Sequence, residues 1–146
     1  MTFNAVALPE PTPDLIAELE AASLPTDDLH EPGRRFYRFE DAAGLIGFGG
    51  LEQIGPNALI RSIVVIDARR GGGAGAAILS WLEKEAVEQK AAALYLLTTS
   101  ATTFFERHGY SVVPRSSAPP AIAASRQFSG LCPASASFMF KAPHTR

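Results

Sequence analysis

The sequence predicts one mixed α/β domain, of the α+β kind, whose strands run mostly antiparallel. Three observations predict it. A chain of 146 residues, 47% hydrophobic and 19% charged, suits a single core spanning residues 1–146. Its middle opens with three runs of strand formers separated by short turns, the pattern of an antiparallel meander. A glycine-rich turn then leads into a helix-period run, another strand-forming run and a short amphipathic run, giving the order β-β-β-turn-α-β-α.

Each element has its own signal. "TFNAVAL" reads as a first strand, and the prolines of "PEPTP" end it. In "TPDLIAELEAAS", Thr12 suits the N-cap and Pro13 the first helical position, with Leu15, Ile16 and Leu19 at helical spacing. "LPTDDLHEPG" reads as a loop with room for a short helix. Residues 36–40 and 45–53 form strands joined at "DAAG", and "GPN" turns the chain into a third strand over 58–66. Residues 76–89 place Ile78, Trp81, Leu82 and Ala86 on one helical face, with Glu83, Lys84, Glu88 and Lys90 largely opposite. "AALYLLTT" is a strand, and "SATTFFERHG" a short helix with Ser100 as its cap and Gly109 at its end. "YSVVP" is a strand, "PPAIAASRQFSG" a short helix, and "ASASFMFK" a last strand alternating at Phe138 and Phe140. The terminal "APHTR" is expected to fray.

Composition removes several function classes. A net charge of −2 offers no basic excess for nucleic acid or an anionic membrane. No apolar run approaches the roughly 20 residues that span a bilayer, and the first residues lack a basic, apolar leader, so a cytoplasmic address is expected. Cys132 is the only cysteine, and His30, His108 and His144 are scattered, so no metal site is expected.

The stretch "IVVIDARRGGGAGAAILSWLEK" carries the chemistry. A strand entering glycines and then a helix offers free backbone N–H groups at the positive end of a helix dipole, which suits an anion. Gly71-x-Gly73-x-x-Ala76 loosely fits a dinucleotide fingerprint. It follows a meander, however, and no acidic residue ends the next strand, where "YLLTTS" stands. The triphosphate loop fails because its lysine and hydroxyl pair is missing.

Arg70-x-x-Gly73-x-Gly75, between that strand and that helix, resembles the acyl-CoA motif of the GNAT family of N-acetyltransferases. "TTFFERHGY" resembles the family's second landmark, an aromatic pair on a short helix followed by glycine and an aromatic residue. The resemblance covers nearly the whole chain. It implies a GNAT fold, with a central, mostly antiparallel sheet of six or seven strands, three to five helices and a pair of splayed parallel strands at the acyl-CoA site. "GLEQIGPNALIRSIVV", "LYLLTTSATTFFERHGY" and "PPAIAASRQFSGLCPASA" further resemble the GNAT subfamily associated with bacterial arsenic-resistance operons.

The resemblance implies an N-acetyltransferase that uses acetyl-CoA and no metal, with direct attack by the amine of a small molecule such as an amino acid or analogue. Many members of the family are dimers, so the resemblance also points to a homodimer. The backbone of Gly71, Gly72, Gly73, Ala74, Gly75 and Ala76 would seat the pyrophosphate, with charge from Arg70 and a lesser share from Arg69. Ile63, Val64 and Val65 would face the pantetheine arm through their backbone, and Thr98, Thr99, Phe104, Phe105 and Arg107 would form the other wall.

The proton-transfer residues depart from the family. Phe105 stands where many members carry an acid tyrosine, leaving Tyr110 as the nearest phenol. On "ALIRSIVV" the polar side chains are Arg61 and Ser62, where other members carry a glutamate base, so Glu52 becomes the candidate base. Arg61 either pairs with a buried acid such as Glu52 or faces the cleft to hold an acceptor's carboxylate, and the cleft is favoured. Cys132, in "SGLCPAS", is expected beside the cleft, as a small apolar residue or a substrate contact. The rival class is a GNAT-like domain that binds CoA or a metabolite as a sensor, without turnover.

Overall fold

The computed structural model describes residues 2–143. His144 and the end of the stretch expected to fray lie outside them. All seven strands join one sheet in the order β1-β2-β3-β4-β5-β7-β6. The strands are β1 (Asn4–Leu8), β2 (Arg34–Asp41), β3 (Gly44–Ile54), β4 (Asn57–Val65), β5 (Ala93–Thr98), β6 (Ser111–Val112) and β7 (Ser137–Lys141). Every neighbouring pair is antiparallel except β4 and β5, which are parallel. The predicted meander is β2-β3-β4, and the mixed sheet has the predicted number of strands.

Helix α1 (Pro13–Ala21) starts as its sequence dictates. Thr12 adopts an extended backbone and its hydroxyl accepts from the Leu15 N–H, while Pro13 occupies the first turn. Leu15 and Leu19 pack with Leu29, Phe36, Phe48 and Val64 in one core. Helix α2 (Ala74–Glu88) belongs to the other core, where Ile78, Leu79, Leu82 and Ala86 join Tyr37, Phe39, Ile46 and Leu51. It packs close because β3 is glycine-rich beneath it: a Cβ on Gly49 would lie 2.8 Å from Leu82 Cδ1. Trp81 meets Tyr37 and Phe39 edge to face, with ring centroids 4.7 and 5.4 Å away.

Three expectations are adjusted. Helix α3 (Thr102–Arg107) is capped at Ala101 rather than Ser100, because the Thr98 hydroxyl at the end of β5 takes the Ala101 N–H at 3.0 Å. Gly109 does end it, with φ +94°. The single helix expected over "PPAIAASRQFSG" divides into α4 (Pro120–Ala123) and a π-helical turn (Gln127–Leu131), where Cys132 N–H reaches the Gln127 carbonyl at 3.1 Å. Finally, β4 ends at Val65, and a 3₁₀ turn (Asp67–Arg69) carries the chain to the glycines.

Candidate active site

The site begins where the sheet fails to close. Asn57, Ala58 and Leu59 pair with Ala93, Leu94 and Tyr95, after which β4 and β5 run on unpaired with each other. Register on the other side of β4 explains part of the divergence. It passes from Phe48 opposite Val64 to Gly50 opposite Arg61, so Ser62 and Ile63 together oppose Gly49 in a β-bulge. Ser62 sits at φ +61°, a left-handed conformation unfavourable for a residue with a Cβ.

The split opens into a cleft of about 520 Å³. Ser62, Ile63, Thr98, Thr99, Phe104 and Phe105 line it. Cys132 also reaches it, and residues 22–25 after α1 close its far side. Val64 does not line it, since its side chain turns into the α1 core. Phe105 is buried against Phe104 and Tyr110, so it serves core and cleft at once.

A second recess of about 230 Å³ adjoins the glycine turn, lined by Arg69, Arg70, Gly71, Gly73, Ala74, Gly75 and Ala76. Val65 and Phe104 line both spaces, which makes them successive parts of one path. Gly71 and Gly73 hold φ +85° and +82°, and no side chain caps α2. The first helical bond runs from Ala77 N–H to the Gly73 carbonyl, so the N–H groups of Ala74, Gly75 and Ala76 have no partner within the helix. No acidic side chain stands in the first turn to compete for them. These groups suit a pyrophosphate, so the residues present fit coenzyme A. Gly72 is exposed on the outer bend and lines neither space.

Arg70 donates from Nε to the Val65 carbonyl at 2.9 Å and pairs with Asp67 at 2.5 Å, its side chain 57% exposed. It therefore stands at the junction of strand, loop and recess. Arg69 is engaged by Asp41 on the β2-β3 hairpin, with Nη1 3.0 Å from Oδ1. Arg107 is exposed and lines neither space, which corrects its placement in the wall.

The proton-transfer candidates are rearranged. Arg61 does not extend a free cation into the cleft: its side chain is fully buried and both terminal nitrogens donate to Asp28 at 2.6 Å. Glu52 is a second, longer partner at 3.4 Å. The expected buried acid exists, then, but it is chiefly Asp28, also fully buried and held by Arg34 Nε at 3.0 Å. Burial works to raise the Asp28 pKa, yet the hydrogen bonds and charges of Arg61 and Arg34 hold it below the ordinary value. Burial pushes the Glu52 carboxyl up despite the same two arginines, with Asp28's charge adding to the rise. Glu52 is buried between Arg34 and Arg61 and does not line the cleft.

Tyr110 is also placed elsewhere. Its hydroxyl donates to Glu83 on α2 at 2.9 Å, and burial followed by Glu83's charge raises its pKa far above the ordinary value. Burial likewise raises the Cys132 thiol, against opposing pulls from Arg61 and Arg115. Sequence reasoning missed Asp28 and Arg34. Asp28 lies in "TDDLHE", where no periodicity or motif distinguishes it from Asp27, and only the fold brings it to Arg61. Among the described residues no group of histidine, cysteine, aspartate and glutamate is placed to hold a metal, and no helix is long and apolar enough to cross a membrane.

A family model described as "Acetyltransferase (GNAT) domain" matches residues 32–112. No functionally curated protein matches the chain. Among solved structures, N-acetylglutamate synthase from Neisseria gonorrhoeae, complexed with coenzyme A and N-acetyl-glutamate, superposes with TM-score 0.75 at 16% identity. That match covers 97% of this chain but 36% of the synthase, so the chain spans about a third of that protein's length. A putative acyl-CoA N-acyltransferase from Klebsiella pneumoniae superposes at 0.71 with 19% identity, covering 98% of this chain and 99% of that one. Rv2747 from Mycobacterium tuberculosis, in complex with CoA and NLQ, gives 0.66 at 20% identity over 95% of this chain and 99% of that one.

Proposed function

The chain belongs to the GNAT acetyltransferase family, and from that premise we propose that residues 1–146 act as one domain moving an acetyl group from acetyl-CoA to the amine of a small molecule. The observation that carries the reading is the continuous path through Val65 and Phe104, from the unpartnered N–H groups of α2 to the split between β4 and β5.

Gly71, Gly73, Ala74, Gly75 and Ala76 would hold the pyrophosphate through backbone N–H groups, with Arg70 as a nearby positive charge. The unpaired edges of β4 and β5 would bond the pantetheine amides as an added strand does. Bound acetyl-CoA supplies an activated thioester. At its carbonyl, the bulge at Ser62 and Ile63 would present a backbone N–H to the oxygen as negative charge grows there. The ammonium would first give a proton to water, the free amine nitrogen would then bond to the carbonyl carbon, and the carbon–sulfur bond would break to release the CoA thiolate, which would take a proton back from water. Ser62, Thr98, Thr99 and Ser100 line the cleft, and their hydroxyls would hold that water.

An amino acid or analogue is the acceptor class we propose, supported by the neighbouring synthase's complex with N-acetyl-glutamate. Any acceptor carboxylate would meet backbone N–H groups and these hydroxyls, because Asp28 already occupies Arg61. The sequence resemblance supports the operon-associated subfamily and a homodimer, and the composition supports a cytoplasmic address. The alternative, a CoA or metabolite sensor without turnover, is favoured by one observation: among the described residues lining the cleft, Cys132 is the only one with an ionisable side chain left accessible, since the Arg61 side chain is fully buried against Asp28.

Acetyl-CoA-dependent release of free thiol, measured across a panel of amines that includes amino acids, tests the reading. Release above the acceptor-free rate with at least one amine is expected. Tight CoA binding with no release on any amine would instead establish the sensor.

A further inference from the structure

Asp28, on the loop between α1 and β2, lies at the start of a chain of contacts that ends on the acyl-transfer strand. Its two carboxylate oxygens each accept from Arg61 at 2.6 Å, and both side chains are withdrawn from solvent. Arg61 Nε then faces Ser62 Oγ at 3.3 Å, which is the only side-chain partner of Ser62 among the described residues. Ser62 is the residue held at φ +61° in the bulge, where β4 leaves β5. A serine in this conformation is strained, so neighbouring contacts must hold it there. The bidentate grip fixes the guanidinium plane, and the plane fixes where Nε points.

We propose that Asp28 is a positioning residue for acyl transfer: through Arg61 and Ser62 it locks the bulge so that a backbone N–H points at the thioester carbonyl. The inference rests on the acetyl-transfer reading and deepens it. Asp28 touches neither the cleft nor the glycine recess, so its replacement alters carbonyl polarisation and leaves the cofactor's anchoring intact. Arg34 and Glu52 complete the cluster around it and keep its charges balanced without touching Ser62.

The test is the infrared carbonyl band of acetyl-CoA labelled with ¹³C at the thioester carbon, read free and bound, alongside calorimetric CoA affinity. In the wild-type protein the band is expected to move to lower wavenumber on binding. In Asp28→Asn at least half of that shift is lost while CoA affinity stays within about threefold, a change of under roughly 0.7 kcal/mol. Where Asp28→Asn does not fold, Ser62→Ala decides. It leaves both buried charges paired and keeps a Cβ in the left-handed conformation, yet it cuts the link to Nε, and it is expected to lose shift similarly. An unchanged band in either folded variant overturns the proposal. So does a loss of affinity in step with the band, which would mark general collapse of the cleft. A wild-type protein that does not bind acetyl-CoA overturns the acetyl-transfer reading itself, and this proposal with it.

Discussion

Asp28 and Arg61 stand 33 residues apart in sequence and meet through two 2.6 Å hydrogen bonds with no solvent access to either side chain. Removing one partner of such a pair strands a buried charge, which costs far more than the pair itself contributes. Arg61→Ala is therefore expected to lower unfolding free energy by about 3–5 kcal/mol. The double variant Asp28→Leu with Arg61→Met should recover most of that loss, since Arg34 and Glu52 still balance one another at 3.5 Å. Urea melts of the three proteins check this, and a double variant no more stable than Arg61→Ala would refute it.

The two buried carboxyls predict opposite pH behaviour. Asp28 has a pKa below its ordinary value, so its stabilisation is complete above that ordinary value and lost as pH falls through the lowered one. Glu52 has a raised pKa, so its charged form is disfavoured in the fold and protonation on acidification relieves that cost. Glu52→Gln should thus keep neutral-pH stability close to wild type and reduce the relief on mild acidification. Asp28→Asn should lower neutral stability and flatten the strong-acid loss. Thermal melts between neutral and strongly acidic pH distinguish the two variants.

Why the glycine turn was legible and the ion cluster was not has a physical cause. A phosphate seat at a helix N-terminus has a local signature, because the glycines, the strand before and the helix after are contiguous in residues 63–84, while the choice among phosphate-binding schemes rested on the meander before them and "TTFFERHGY" after them. The meander was legible for the same reason, as short turns join consecutive strands, whereas the place of β7 between β5 and β6 was not. Arg61 announced only that it needed a partner. Which partner depended on a loop returning across the sheet, and Glu52, close in sequence through the β3-β4 hairpin, was the local choice. Tyr110 misled in the same way: its nearness to Phe105 along the chain says nothing of Glu83, which α2 brings within 2.9 Å of its hydroxyl.

The glycine loop separates binding from folding. Gly73 is the N-cap of α2 at φ +82°, a left-handed position where aspartate adds modest backbone strain and places a negative charge beside the phosphate seat. Gly73→Asp is expected to weaken CoA binding at least tenfold, and calorimetry should show it, while the melting temperature moves by only a few degrees. Arg70→Ala should weaken binding less, and more so at low salt, because its charge is more than half exposed. Wild-type affinity in Gly73→Asp would remove the loop assignment.

Tyr110 and Cys132 test the chemistry from its negative side. A phenol that donates to Glu83 and is driven to high pKa by burial has no proton to offer a leaving thiolate in the cleft. A thiol whose pKa burial raises is a poor nucleophile at neutral pH, and direct attack by the amine needs none. Once an acceptor is identified, Tyr110→Phe should keep turnover within about threefold and the same pH–rate profile, while losing about 1 kcal/mol of stability from the broken hydrogen bond. Cys132→Ser should likewise retain turnover, with initial-rate patterns that intersect rather than run parallel as acceptor and acetyl-CoA are varied. A parallel pattern in the wild-type protein that disappears together with activity in Cys132→Ser would establish an acetyl-cysteine route. A hundredfold fall in Tyr110→Phe, at unchanged CoA affinity, would return that phenol to the reaction and require α3 to reorient it from Glu83 toward the cleft.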